Sequence, residues 1–463
     1  MKKLWIFSLV FIFYFIIVVH SEEVVRVYIY HTNDIHGRMF DDSSNGSGSF
    51  ARVAYYLKKQ KSNFKNVIII DAGDYFQGTP EGIFSKGQAL IDIFNACHYD
   101  VLVPGNHDID LGEDVLFDNL KKFKGSVLCC NFNDTLWRSV IKPYKVLDVD
   151  GVKIGFIGYS NVFELDQNSI RKAIYEVQEQ GANYVVLITH VGIDIDRKIA
   201  SLFPDIDLII GAHSHTKLEY PFIDPKSGTR IVQTGAYLRN LGEIELVFNK
   251  LTKKLEFFSY NLIPVSSIDE KDKEVEKIML SYKNKISKIV DTPLCKSYFP
   301  ISKWAPDGYG NSPLGNLICD VMREKYKVDF AFVNKTGIRA SISGGNITLR
   351  KIIYAYPFNN RVCVFKLKGK QIREIFRNSI TKFEFSGLKA KLTEGKVLIK
   401  INNEFLKDDK EYTVASVDYY VNFLKQHFPM KVEYKDKVHN ILVEYFKKFK
   451  VFKYRWKPRV WLR

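Results

Sequence analysis

Seven side chains in the first half of the chain have the types and spacing of metal ligands. They are Asp34, His36, Asp74, Asn106, His190, His213 and His215. Carboxylate, amide and imidazole donors in combination suit divalent cations of hard to intermediate character. Two such cations about 3.5–4 Å apart can clamp a phosphate and generate a hydroxide nucleophile at neutral pH. The donor set therefore predicts a two-metal site for phosphate chemistry.

Short apolar runs precede these side chains, as expected if buried strands position them. Five runs stop at or just before one or more of the ligands, namely Val24–Tyr30, Val67–Ile70, Val101–Val103, Tyr184–Ile188 and Leu208–Ile210. A sixth run, Ile154–Ile157, ends without such a ligand. The ends of strands in an open α/β sheet meet at one edge, where ligands bind. One isolated Asp-x-His would be weak support, but five strand-end clusters are difficult to obtain from packing alone.

The length and pattern of the chain predict two domains joined by a helix. A chain of 463 residues is too long for one ordinary core. From residue 22 to 265, β runs alternate with amphipathic segments, which is typical of a layered α/β domain. Residues 266–290 are polar and Lys/Glu-rich with helical spacing, so we expect a linker helix there. Residues 291–463 are expected to form a second, smaller α/β domain.

The N-terminus has the features of a secretory signal peptide. Met1–Ser21 combines two lysines, an apolar run and a small-residue cleavage site. An uncleaved N-terminal anchor is the alternative. No later stretch is long and apolar enough to span a bilayer, and the C-terminus lacks the tail of a lipid-anchor signal. We therefore expect a secreted, soluble protein without a stable membrane anchor.

The cysteines and the N-glycosylation sequons are also relevant to the predicted secretion. Six cysteines remain after residue 21, at positions 97, 129, 130, 295, 319 and 363. In an oxidising compartment they permit three disulfides among fifteen pairings, although several lie in apolar contexts that also suit buried free thiols. N-glycosylation sequons begin at Asn45, Asn133, Asn334 and Asn346.

The formal net charge of +16 favours anionic partners such as nucleotides. The basic residues are scattered, however, and a diffuse solvated surface explains them equally well. No recognised nucleic-acid-binding module is visible. We therefore expect nucleotides as partners and no nucleic acid, and the oligomeric state stays open.

The ordered motifs resemble those of the calcineurin-like metallophosphatases, and the wider sequence resembles their 5′-nucleotidase/apyrase branch. The N-terminal motifs are residues 31–38, 71–79, 105–112, 189–194 and 211–216, and residues 312–320 and 356–360 resemble the C-terminal domain of that branch. The resemblance covers nearly all of the chain after residue 21. It implies a four-layer α/β/β/α metallophosphatase sandwich followed by a smaller α/β domain that binds the nucleotide and brings it to the metals.

The resemblance also implies a role for each predicted site residue. One metal would be held by Asp34, His36, Asp74 and His215, and the other by Asp74, Asn106, His190 and His213, with Asp74 shared. The cofactor would be two divalent ions, and Zn, Mn, Mg and Ca all stay open. His107 and Asp110 match the catalytic His–Asp pair, in which the histidine donates to a phosphoryl oxygen and the aspartate fixes its tautomer. Asp108 stands where the family usually has Glu.

The nucleotide-binding residues are matched less completely. Asn334 and Arg339 match a substrate-binding loop in which Lys335 and Thr336 replace two glycines. If Asn334 lies in the cleft, its sequon should be unused. Phe383 or Phe385 resembles the first base-stacking aromatic, and Tyr419 resembles the second. An Arg that often precedes the 312–320 motif is missing, and residues 423–428 replace a Gly-rich loop that normally supplies an Asp for the ribose.

Together these features predict a secreted apyrase that removes the terminal phosphate from extracellular ATP and ADP. The combination resembles the salivary apyrases of blood-feeding arthropods, in which clearing ADP would restrain platelet aggregation. One alternative is an AMP-specific 5′-nucleotidase, and another is a different phosphodiesterase. An alternative of another class is a non-catalytic nucleotide-binding protein that kept the fold.

Overall fold

The computed structural model describes residues 24–42, 46–132, 137–308, 310–393 and 396–462. The predicted signal peptide and the sequons at Asn45 and Asn133 lie outside the described residues. The chain divides into two compact units, one of Met1–Gln77 with Glu81–Lys283 and one of Gly78–Pro80 with Asn284–Arg463.

Thirteen strands and six helices lie between residues 24 and 264 of the described chain. The strands are β1 Val24–Thr32, β2 Val67–Asp71, β3 Val101–Leu102, β4 Ser126–Leu128, β5 Ile141–Lys142, β6 Tyr144–Val149, β7 Val152–Ser160, β8 Tyr184–His190, β9 Leu208–Ile210, β10 Phe222–Ile223, β11 Arg230–Val232, β12 Asn240–Asn249 and β13 Leu255–Pro264. The helices are α1 Phe50–Asn63, α2 Pro80–Phe84, α3 Gln88–Ala96, α4 Glu113–Leu120, α5 Gln167–Glu179 and α6 Ile193–Leu202.

The first unit has four layers. Its strands form a seven-stranded sheet in the order β13-β12-β1-β2-β3-β4-β5 and a six-stranded sheet in the order β10-β11-β9-β8-β7-β6. One apolar core lies between the sheets, a second packs α1, α3 and α4 on the first sheet, and a third packs α5 and α6 on the other. Strands that are covered on both faces have continuous apolar sequences. The first four residues of β2, Val67–Ile70, form such a run. The predicted α/β/β/α sandwich is confirmed.

Parallel pairing sets where the candidate ligands lie. β1, β2 and β3 are neighbouring parallel strands, and so are β7, β8 and β9. Their carboxyl ends therefore meet at one edge of each sheet. Every predicted metal ligand follows β1, β2, β3 or β9, or ends β8.

Helix α7, Lys273–Val290, carries the chain from the first unit to the second. Its early apolar residues Val275 and Met279 are buried in the core of the first unit. The helix falls within the predicted linker, residues 266–290. A 3₁₀ turn at Val265–Ser267 precedes it.

The second unit is a smaller α/β domain, as predicted. Its described strands are β14 Pro293–Ser297, β15 Phe330–Asn334, β16 Gly345–Thr348, β17 Arg361–Lys368, β18 Phe383–Ser386, β19 Leu388–Thr393, β20 Lys396–Ile401, β21 Glu404–Phe405, β22 Glu411–Val417, β23 Val432–Lys437, β24 Val451–Phe452 and β25 Val460–Leu462. Its helices are α8 Pro313–Tyr326, α9 Leu349–Ala355, α10 Gly369–Phe376, α11 Asp418–Lys425 and α12 Val438–Phe446, with 3₁₀ turns at Lys335–Gly337 and Ile380–Lys382.

Three sheets organise this second unit. The central one has the order β18-β15-β22-β17-β23, and β21-β20-β19-β25 and β16-β14-β24 form the others. One core packs α8, α9 and α12, and another joins the central sheet to α10, α11 and the four-stranded sheet. Ser312 begins α8 by accepting a hydrogen bond from the amide of Gly315, with Pro313 in the first turn, which is a favourable helix start.

The cysteines correct one expectation. All six are unpaired and buried, so the three disulfides permitted by their number are not formed. Burial raises the pKa of the Cys130 and Cys363 thiols to about 12, which keeps both protonated. These cysteines act as small apolar core residues.

Candidate active site

Asp34, His36 and His215 form a first ligand group in the first unit. Nε2 of His36 lies 3.0 Å from Nε2 of His215, which lies 3.4 Å from Oδ1 of Asp34. The three ligand atoms all lie within 4.8 Å of one another. Donors that converge in this way suit a single cation.

A second ligand group consists of Asp74, His190 and His213, again within 4.8 Å. Oδ2 of Asp74 lies 3.2 Å from Nε2 of His190 and 3.7 Å from Nε2 of His36. One carboxylate therefore faces both groups, which is the position of a bridging ligand. Oδ1 of the same carboxylate accepts a hydrogen bond from the amide of His107 at 2.7 Å, next to Asn106.

Backbone carbonyls fix two of the histidine rings. Nδ1 of His36 donates to the carbonyl of Gln77 at 3.2 Å, and Nδ1 of His190 donates to that of Ala72 at 2.8 Å. Because a carbonyl oxygen only accepts, Nδ1 carries the proton and Nε2 keeps its lone pair for a metal.

Backbone strain is concentrated in the same residues. Five of the seven predicted ligands have positive φ, namely Asp34 (51°), His36 (51°), Asp74 (60°), His213 (73°) and His215 (55°). Residues other than glycine seldom adopt this conformation, which costs about 1–3 kcal/mol each. Strain of this kind persists where the surrounding structure holds a functional geometry.

Asp108 supports the site in a way that the sequence interpretation missed. Its buried carboxylate accepts hydrogen bonds from the amides of Asp74, Tyr75, Phe76 and Gly105 at 2.7–2.9 Å. It thereby ties the turn after β2 to the turn after β3. Burial raises the pKa of Asp108 to about 7, with a further rise from the charge of Asp74. The only signal in the sequence was the family's preference for Glu at this position.

His107 and Asp110 lie at the border of the ligand groups. Nδ1 of His107 donates to Oδ2 of Asp110 at 2.8 Å, and the two side chains are 17% and 29% exposed. The His107 ring centre lies 5.6 Å from that of His36. The pair is therefore accessible to a substrate and close to the ligands, as general acid–base or oxyanion-stabilising chemistry requires.

Arg339 in the second unit is packed against an aromatic ring that the sequence analysis did not single out. Its amide donates to the carbonyl of Ala355 at 2.8 Å, which brings residues 356–360 beside it. Its guanidinium carbon lies 5.3 Å from the ring centre of Phe358. Asn334, at the end of β15, is half-buried, and its amide nitrogen donates to the Thr336 hydroxyl.

Tyr419 lies close to the same segment. The carboxylate of Asp418 accepts hydrogen bonds from the side chain of Asn360 and the amide of Tyr419, both at 2.8 Å. The Tyr419 ring is 66% exposed. Phe358 and Arg339 thus lie in loops of the second unit that adjoin Tyr419 in the first turn of helix α11.

Phe383 and Phe385 are placed differently from the prediction. They are 4% and 0% exposed and pack against Phe376 in the core of the second unit. Neither ring has an exposed face on which a base could stack. Phe358, which is half-buried beside Arg339, takes over as the candidate for the first stacking ring.

Comparison with known protein families identifies both parts of the chain. Residues 27–217 match the family model of the calcineurin-like phosphoesterases, and residues 302–432 match that of the 5′-nucleotidase C-terminal domain. This protein belongs to the 5′-nucleotidase family of calcineurin-like phosphoesterases. It is therefore a metallophosphoesterase-type hydrolase.

Relatives in this 5′-nucleotidase family align with most of the chain. A snake venom 5′-nucleotidase of Naja atra is 26% identical over 412 residues, covering 76% of this chain and 77% of the venom protein. The trifunctional nucleotide phosphoesterase YfkN of Bacillus subtilis is 28% identical over 424 residues, but the match covers only 28% of that longer protein. The crystal structure of a 5′-nucleotidase precursor from Thermus thermophilus has the same fold, with a TM-score of 0.82, 23% identity and coverage of 94% and 99% of the two chains.

The residues present fit the dinuclear divalent metal site of this 5′-nucleotidase family. Within the described part of the chain, the buried Oδ1 of Asn106 has no hydrogen-bond partner. The buried Nε2 of His190, whose proton is on Nδ1, faces the carboxylate oxygen Oδ2 of Asp74 at 3.2 Å. Asp34 and Asp74 are buried as well. Burial raises the pKa of Asp34 to about 7, because the charged carboxylate loses its hydration. A positive charge bound nearby would stabilise the charged form. A bound cation would satisfy both the amide oxygen without a partner and the imidazole lone pair that faces a carboxylate oxygen.

No helix among the described residues of this family member is long and apolar enough to cross a membrane.

Proposed function

We propose that this protein is a secreted two-metal nucleotide phosphohydrolase that removes the terminal phosphate from ATP and ADP. The observation that carries the reaction is the position of Asp74, whose Oδ2 faces His190 of one ligand group and His36 of the other. The proposed metal ligands are Asp34, His36, Asp74, Asn106, His190, His213 and His215. Two divalent ions held there supply Lewis-acid polarisation of the phosphoryl group and activation of water.

The proposed catalytic pair stabilises the charge that develops on the phosphoryl oxygens. With Nδ1 bonded to Asp110, His107 carries a proton on Nε2 only as an imidazolium, and the Asp110 carboxylate supports that cation. Nε2 then donates to the phosphoryl oxygen as charge accumulates. The same ring can release its proton to the leaving oxygen.

Lys303 and Lys335, together with the Arg339 guanidinium, are three cations of the second unit that support a substrate with more than one phosphate. Nζ of Lys303 donates to the carbonyl of Arg339 at 3.0 Å, and Nζ of Lys335 donates to that of Gly310 at 2.8 Å. Lys335 also stands where the family loop has glycine. Cations fixed by backbone carbonyls on adjoining loops suit the charge of a di- or triphosphate better than that of a monophosphate.

The proposed nucleoside frame consists of Phe358 and Tyr419, with Arg339 and Asn334 at the phosphate side. Aromatic rings stack on any base, and an arginine binds phosphate oxygens in a bidentate manner. The half-buried position of Asn334 favours this role over glycosylation. Asn346 is exposed on β16 and is the better proposed acceptor of a glycan.

Phosphate release from ATP, ADP and AMP tests the proposed substrate. We expect release from ATP and ADP, with loss on chelation of divalent ions. Lys335→Gly should raise KM for ADP more than KM for AMP, whereas the exposed Lys366→Ala on β17 should change neither. Release from AMP alone contradicts the proposal and establishes a 5′-nucleotidase, which the names of the relatives favour. Binding without any release establishes a non-catalytic protein.

Secretion and an anti-platelet role belong to the same proposal. Secretion depends on Met1–Ser21, and removal of ADP would limit platelet aggregation. Sequencing the N-terminus of protein exported from a eukaryotic host tests the first point, since cleavage is expected after Ser21.

A further inference from the structure

Tyr237 contacts every member of the first ligand group, although it is not one of the seven predicted ligands. Its amide donates to the carbonyl of Asp34 at 2.8 Å. Its ring centre lies 5.6 Å from that of His36 and 5.4 Å from that of His215. One residue therefore adjoins all three residues of this group, through its backbone in one case and through its ring in the other two.

The loop that carries Tyr237 follows a further parallel strand end. β11 pairs in parallel with β9, so its carboxyl end lies at the edge of the sheet where His215 follows β9. The side-chain amide of Asn33 donates to the carbonyl of Gly235 and to Oδ2 of Asp34, both at 2.7 Å. These bonds fix the loop relative to the first ligand group.

The backbone of this loop is strained at the ring itself. The φ angle of Tyr237 is +64°, and that of Leu238 is +55°. Positive φ is uncommon for residues other than glycine and is an outlier for bulky ones. A glycine at position 237 would adopt this conformation without strain, so the chain keeps the ring at a conformational cost. Strain of this kind persists where the surrounding structure holds a functional geometry.

Two guanidinium groups also contact the Tyr237 ring. The guanidinium carbons of Arg38 and Arg239 lie 5.4 and 5.3 Å from its centre. A cation within about 6 Å of a ring centre is attracted to the ring by its quadrupole. Arg38 is itself buried, which fixes its place beside the ring. The ring is therefore restrained by two cations while it packs on two imidazoles, and these contacts use the ring rather than the hydroxyl.

We propose that Tyr237 is a positioning residue, whose ring holds the imidazoles of His36 and His215 in the orientation that binds a divalent cation. This inference rests on the ligands of the proposed two-metal phosphohydrolase. Loss of a group that orients metal ligands commonly lowers metal affinity by about 10–100-fold. Because the contacts described above are with the first ligand group, loss of the ring should weaken the binding of one ion and leave the other in place.

Dialysis of the Co²⁺-loaded full chain against buffers of decreasing free Co²⁺ tests the inference, with metal content and the visible absorption of bound Co²⁺ as readouts. The wild type should hold two ions at saturation. Tyr237→Gly removes the ring and relieves the backbone, so we expect one of the two ions to be lost at about 10–100-fold higher free Co²⁺. Tyr237→Phe keeps the ring and should retain both ions as the wild type does.

The matched control is Tyr220→Gly, because Tyr220 is 81% exposed in the same unit, five residues after His215. This control should retain both ions. Thermal unfolding shows whether each variant is folded, and Tyr237→Ala supplies a second variant without the ring.

Two results overturn the positioning role and leave the proposed function standing. In one, the variants without the ring hold both ions with wild-type affinity. In the other, Tyr237→Phe loses an ion as readily as Tyr237→Gly does, which would assign the effect to the hydroxyl. A wild type that holds fewer than two ions at saturation overturns both the positioning role and the proposed two-metal function.

Discussion

Nδ1 of His107 donates to Oδ2 of Asp110 across 2.8 Å. This bond orients the imidazole, and in the proposed mechanism it also supports the charge of the protonated ring. A neighbouring ring, that of His36, lies 5.6 Å away between centres and belongs to the first ligand group. The His107–Asp110 pair therefore lies beside the two ligand groups without belonging to either.

Loss of the His107 side chain should reduce turnover and leave metal binding intact. We expect His107→Ala to lower kcat by about 10²–10³-fold, as the loss of one donor to a developing oxyanion does elsewhere. Asp110→Asn should lower kcat less, because the imidazole stays but its charge loses support. Phosphate release and metal content, measured on the same preparations, check this. Loss of metal from the His107→Ala variant would instead show that His107 is a metal ligand.

Removal of Asp108 should destabilise the first unit and loosen the site. Four amide groups donate to its buried carboxylate. Each buried donor left without a partner costs about 1–3 kcal/mol, so Asp108→Ala should lose at least about 3 kcal/mol of unfolding free energy. Denaturant unfolding measures the change. Asp114→Ala, at an exposed position in the first turn of α4, is the control and should change little.

The clustering of the candidate metal ligands was predictable from the sequence because its signal is local. Each ligand follows an apolar run, and parallel pairing of β1, β2 and β3 places the strand ends together. Asp108 was not recognised because its four partners come from two separate turns, a relationship that appears only after folding.

The stacking rings show where local pattern fails. Phe383 and Phe385 alternate with Glu384, which suggests a half-exposed strand, yet all three are buried because β18 is covered on both faces. Phe358 lies in a loop after α9, and backbone hydrogen bonds to Ala355, among them that of the Arg339 amide, bring it beside Arg339.

Acid should destabilise the second unit through His439. This residue is buried on α12, and Nε2 donates to the carbonyl of Tyr356 at 2.5 Å. Burial lowers the pKa of His439 below its ordinary value of 6.5, with a smaller contribution from Lys437. Below pH 6.5 the unfolded chain binds a proton that the folded chain does not, so stability present above pH 6.5 is lost as the pH falls towards the folded pKa.

Substitution of His439 by glutamine tests this dependence, because the amide keeps a donor but does not titrate. We expect the unfolding temperature of the wild type to fall more steeply between pH 7 and pH 5 than that of His439→Gln. Differential scanning calorimetry at both pH values gives the comparison. Parallel profiles would show that His439 is not responsible.

The most direct test of the account is the metal content of Asp74→Asn, measured together with phosphate release from ADP. The wild type should hold about two divalent ions per chain. His215→Ala, which affects one ligand group, should retain about one ion, whereas Asp74→Asn should lose affinity for both and lose phosphate release. An Asp74→Asn variant that keeps two ions and hydrolyses ADP at the wild-type rate would contradict a shared two-metal centre.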